Sequence, residues 1–95
     1  MWNSLFTAGE SGSEGGVILR DEEYRNTCRI TLERCSDRYA VTCGIYGAFC
    51  HTAYCGESDH LQMYQNMKRD LQIFLDQDTT ADEALSFYES FAAKY

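Results

Sequence analysis

YAVTCGIYGAFCHTAYC, residues 39–55, decides the fold. A short turn at Tyr46-Gly47 makes this stretch a β-hairpin. Ile45 then pairs with Ala48, Cys43 with Cys50, Val41 with Thr52 and Tyr39 with Tyr54. Side chains alternate across a strand. One face therefore holds Tyr39, Val41, Cys43, Ile45, Ala48, Cys50, Thr52 and Tyr54. The other holds Ala40, Thr42, Gly44, Phe49, His51, Ala53 and Cys55. The first set is the better core face. Tyr-Gly is not a preferred hairpin dipeptide, so the alternative is one long strand bent at Gly44 or Gly47 by a bulge.

Upstream, NTCRITLERC (26–35) alternates clearly. Cys28, Ile30 and Leu32 point one way, and Thr27, Arg29, Thr31 and Glu33 the other, which predicts a half-buried antiparallel strand. SDR (36–38) is turn chemistry. VILRDEEY (17–24) starts with β-formers, and its acidic end suits an edge strand. GESGSEGG (9–16) reads as flexible chain. Residues 1–16 are thus expected to form a flexible N-terminal segment, and residues 17–95 a single domain.

Downstream, Gly56 ends the sheet, and Ser58 or Asp59 suits a helix N-cap. His60, Tyr64, Met67, Leu71 and Phe74 recur at spacings of four and three, as on an amphipathic helix. DQDTT breaks that helix. Thr80 and Glu83 then form a capping box for a second helix over 81–94, with Ala84, Phe87 or Tyr88, Phe91 and Tyr95 on its apolar stripe. Strands followed by helices predict an α+β domain. It has an antiparallel sheet of three to four strands followed by two helices packed on one face.

The chain has 95 residues, enough for one domain. A domain of this size buries only about 60–65% of its unfolded surface, so a second subunit or a ligand would help its thin core. The net charge is −7, unevenly spread. Residues 1–24 carry −4, residues 25–56 carry +2, and residues 57–95 carry −5. Such a chain repels nucleic acid and anionic membrane. Arg25, Arg29, Arg34 and Arg38 are too few for a nucleic-acid stripe. No apolar run is long enough for a transmembrane helix, and the start lacks the pattern of a signal peptide. The odd count of five cysteines then points to free thiols in a reducing cytoplasm.

Three cysteines and two histidines fall between Cys43 and His60, which raises metal binding and thiol chemistry. Cys50-x4-Cys55-x4-His60 is more open than the usual zinc spacings. Cys50 and His51 are strand neighbours on opposite faces, so they form no catalytic dyad. Paired carboxylates at Glu22-Glu23, Asp76-Asp78 and Asp82-Glu83 fall in turns, caps or an edge segment. No glycine-rich piece makes a phosphate loop. These patterns imply no cofactor, no metal and no catalytic set.

Aromatic residues exceed what a thin core must hide, and tyrosine suits interfaces. The sequence therefore favours a non-enzymatic module that self-associates or binds a protein partner. Phe49, His51 and Cys55, on the hairpin face without helices, are the candidate contact surface. The alternative is a small-ligand or thiol/metal site built from Cys43, Cys50, His51 and Cys55. CRITLE (28–33), YAVTCGIYG (39–47) and HT (51–52), with the helix that follows, resemble a small bacterial family of uncharacterised proteins over residues 15–78. The resemblance implies a bacterial cytosolic protein and no particular activity.

Overall fold

Trp2–Ser4 (β1), Val17–Tyr24 (β2), Cys28–Arg34 (β3), Tyr39–Ile45 (β4) and Phe49–Cys55 (β5) pair in chain order as one antiparallel sheet. His60–Leu75 (α1) and Ala81–Lys94 (α2) follow. The computed structural model describes all 95 residues. The α+β arrangement is as the sequence predicts, with five strands in place of three to four. The added strand is β1. Its Trp2, Asn3 and Ser4 pair with Tyr24, Glu23 and Glu22, so the first residues belong to the sheet. The Trp2 ring lies 5.0 Å from the Tyr24 ring, and its Nε1 donates to Gln72 Oε1 of α1 at 3.0 Å.

The β4–β5 hairpin turns where the sequence places it, but with a different register. Ala48 N donates to Ile45 O at 3.0 Å, closing a turn around Tyr46 and Gly47. Gly47 takes the positive φ, +75°, that this turn demands. Ala48 is then left out of the ladder, and Ile45 pairs with Phe49. Cys43 pairs with His51, Val41 with Ala53, and Tyr39 with Cys55. One extra residue in the loop turns the whole of β5 over.

The core follows from this register. Cys28, Ile30 and Leu32 of β3, Val41, Cys43 and Ile45 of β4, and Ala53 of β5 are buried on one face. Tyr64, Met67 and Leu71 of α1 and Phe91 of α2 complete the same cluster. Their spacings are those of the predicted stripes, so both helices cover this face. The Tyr64 hydroxyl reaches Glu22 Oε1 at 2.7 Å, which lets a tyrosine sit fully buried.

α2 begins as predicted. Thr80 Oγ1 accepts from Glu83 N at 3.2 Å, and Glu83 Oε1 accepts from Thr80 N at 3.0 Å. This reciprocal box contributes about 1 kcal/mol to the start of the helix. α1 starts differently. Its N-cap Asp59 makes no side-chain bond into the helix and instead accepts from Gly56 N at 2.8 Å. The His60 ring stacks on Tyr39, with centroids 3.8 Å apart, and so pins the helix start to β4.

Candidate functional site

The face opposite the helices is built from three cross-strand rows. Glu23, Arg29, Gly44 and Cys50 form the first; Asp21, Thr31, Thr42 and Thr52 the second; Ile18, Glu33, Ala40 and Tyr54 the third. Residues 5–16 fold back over the β2–β3 side of this face. Leu5 N donates to Asp21 O at 2.9 Å, and Gly9 N to Ile18 O at 2.8 Å. This arm explains two buried carboxylates. Glu33 is fully buried, and its carboxylate accepts the backbone N–H groups of Glu14 and Gly16. A side chain at Gly12 would overlap the Glu33 carboxyl, so the close approach requires glycine there.

Asp21 is the second buried carboxylate. Burial alone would raise its pKa. The Arg29 guanidinium, with Nε 2.9 Å from Oδ1, and the hydroxyls of Thr7 and Thr31 outweigh burial and hold it below the usual range. Arg29 is thus committed to a neighbour. Beside it lies an open trough of about 490 Å³ lined by Thr31, Thr42, Gly44, Tyr46 and Cys50.

The β4–β5 side of this face lacks such cover. Cys50 and Tyr54 are exposed there. Thr42 and Thr52 share a hydroxyl contact of 3.2 Å. Tyr54 donates to Glu14 Oε1 at 2.6 Å, and Arg38 lies 3.8 Å above its ring. These tie the arm to β5 at one end only.

The inverted register moves the predicted contact residues. His51 and Cys55 do not line the open face, and Phe49 only borders its trough at the loop end. All three share the helix-covered face with Val41 and Cys43. Phe49 stacks on Tyr88 of α2, with centroids 4.8 Å apart, and His51 meets the edge of Phe91 at 6.0 Å. Cys55 Sγ faces the carbonyl of Tyr39 at 3.9 Å. His51 Nε2 is the one buried side-chain nitrogen or oxygen without a hydrogen-bond partner. An unsatisfied buried group of this kind costs about 1–3 kcal/mol.

The four residues of the alternative site do not converge. Cys43 and His51 share the covered face, Cys50 lies on the open one, and Cys55 is at the far end of β5. No three histidine, cysteine or carboxylate side chains stand close enough to hold a metal ion. Burial pushes Cys28 and Cys43 up to about 12 and also raises Cys35 and Cys55. The shift disfavours the thiolate, the reactive form, at all four. No pair of cysteines is joined.

One property of this region escapes a motif search. Residues 39–56 contain no Asp, Glu, Lys or Arg, in a chain that is 24% charged. β5 has β4 on one side and no strand on the other. A seven-residue strand with free backbone groups therefore presents an edge without charge and without proline. The signal is an absence of charge rather than a pattern of ligands. Comparison with family models, curated proteins and solved structures finds no match to this chain. No helix is long and apolar enough to cross a membrane.

Proposed function

We propose that this chain is a non-enzymatic module that self-associates through the free edge of β5. The single observation behind this is the uncharged seven-residue edge strand. Exposed edges normally carry charge, proline, a bulge or a covering segment, because a bare edge pairs with another strand. β5 has none of these along Phe49–Cys55. Its geometry suits main-chain pairing, in which backbone groups supply the attraction.

A second copy can meet this edge without like-charge contact. Each chain carries −7, so two copies repel over most of their surfaces. The stretch 39–56 is the longest where this repulsion has no source. Aromatic side chains line both faces of β5, Phe49 below and Tyr54 above, and add apolar area to the pairing. The five unpaired cysteines support a reducing, cytoplasmic setting for this module.

Sedimentation velocity on reduced protein tests the proposal. The expected result is a dimer that tightens, and does not loosen, as salt screens the repulsion between the two acidic chains. A monomer at all accessible concentrations removes the proposal.

A further inference from the structure

We infer that two copies join antiparallel about a twofold axis through Thr52, making one ten-stranded sheet, with the α2 helices side by side on its covered face. This rests on the self-association proposed for β5 and specifies its register. Three observations carry it.

The first is length. Centring the axis on Thr52 pairs all seven residues of β5. Centring it on His51 or Ala53 leaves two residues of each strand without a partner, one of them with its outward backbone groups unpaired.

The second is size. With the axis at Thr52, Phe49 faces the partner's Cys55, His51 faces the partner's Ala53, and Tyr54 faces the partner's Cys50. Each large side chain meets a small one, and threonine meets threonine at the centre. Directly opposed side chains of a strand pair are close enough for such matching to matter. An axis on His51 instead opposes two imidazoles. The row Asp21–Thr31–Thr42–Thr52 also continues across the axis into the same row of the partner.

The third lies on α2. Its Phe87 stacks on Phe74 of α1 at 4.1 Å, and its Tyr88 stacks on Phe49 of β5. Ala81, Leu85, Tyr88 and Ala92 follow one another at helical spacings of four, three and four. Tyr88 of this row touches both Phe49 of β5 and, edge to face at 5.8 Å, Phe74 of α1, which sets the row along the β5 side of α2. Leu85 is 58% exposed, and Ala81 and Ala92 are exposed as well. Phe91 sits beside His51, one residue short of Thr52, so Ala92 is the flank position nearest the axis. A small residue there lets the two helices approach closely.

Disulfide trapping tests the register. Thr52→Cys is made in a chain whose Cys35, Cys50 and Cys55 are replaced by serine, leaving only the buried Cys28 and Cys43 beside the new thiol. Directly opposed residues of an antiparallel pair fall within disulfide reach. Mild oxidation with diamide is therefore expected to convert this chain to a covalent dimer, with loss of the monomer band. A matched chain that keeps Cys50 and Thr52 is expected to stay uncrosslinked, because Cys50 stands opposite the partner's Tyr54. Circular dichroism checks that both chains fold. A dimer that crosslinks in the matched chain through Cys50, but not in the Thr52→Cys chain, overturns the register and leaves self-association standing. A dimer that crosslinks in neither chain overturns the register too. A well-folded monomer overturns self-association itself.

Discussion

The two edges of the sheet are finished in opposite ways. β1 is three residues long, and its Trp2 is held by Tyr24 and Gln72. Its neighbour β2 is acidic and ion-paired, with Asp21 to Arg29 and Glu22 to Lys68. β5 is seven residues long, uncharged and free along its outer side. Proteins usually blunt both edges, because either one can recruit a foreign strand. Here one edge is blunted by its shortness, beside an ion-paired acidic neighbour, and the other is left open. Under the proposed self-association, the β1 side serves stability and the β5 side serves contact.

The largest test of this contrast puts a charge on each edge in turn. Thr52→Lys opposes two ammonium groups at the inferred axis and should convert dimer to monomer in sedimentation velocity. Asn3→Lys on β1 should leave the assembly mass unchanged. Equal effects from the two substitutions would erase the distinction between the edges.

Next in size is Trp2→Ala. Removing a partly buried indole should lower unfolding free energy by about 2 kcal/mol, less than truncating a fully buried aromatic does. Urea denaturation at fixed protein concentration measures it. Dimer mass should not change, and a change would mean that β1 takes part in assembly.

His51→Leu should act in the other direction. It removes the orphaned Nε2 while keeping apolar contact with Phe91. A gain of about 1 kcal/mol in the same denaturation experiment is expected. A loss would show that the imidazole finds a partner in the assembled state.

The smallest expected effect concerns acid. The Asp21 carboxyl is held below its ordinary range in the folded chain. On unfolding its pKa returns to about 3.9, so the unfolded chain binds more protons as pH falls. The stability Asp21 contributes is therefore present above that value and lost as pH drops through the folded one. Thermal unfolding between about pH 5 and about pH 2 should be less pH-dependent in Asp21→Asn than in the parent chain. Amide exchange should show the arm over β2 and β3 loosening before β5, which holds no acidic residue. Simultaneous loosening would argue that the two sides act as one unit.

Much of this architecture is legible in the sequence, for reasons specific to each element. Cys28, Ile30 and Leu32 alternate with charged and hydroxyl residues, so β3 has one possible phase. Tyr64, Met67 and Leu71 can share a face only on a helix, and Thr80 with Glu83 announces its own capping box. β5 gives no such guidance. Phe49, His51, Ala53 and Cys55 are as plausible a core set as Ala48, Cys50, Thr52 and Tyr54. Periodicity fixes that a strand exists there and leaves its phase to the loop. The arm is illegible for another reason. GESGSEGG has the composition of flexible chain, but its backbone N–H groups find the Glu33 carboxylate, a partner that a hydropathy pattern does not record. The candidate surface is half legible: the sequence locates its strand and not its outward face.

The three-residue loop has a consequence for how this surface would change under mutation. A two-residue loop in the same chain would pair Ile45 with Ala48. It would bring Cys50, Thr52 and Tyr54 under the helices and turn Phe49, His51 and Cys55 outward. Asn-Gly is among the dipeptides that most favour such a loop. An asparagine in place of Tyr46 would favour it, and would set turn preference against core packing. Tyr46 has no such preference, and its hydroxyl is engaged with Glu23 Oε2 at 2.6 Å. The indifferent turn chemistry of this residue thus protects the register. The outward face is guarded by what position 46 does not encode, and one substitution there could exchange the two faces of β5 without touching a residue on either.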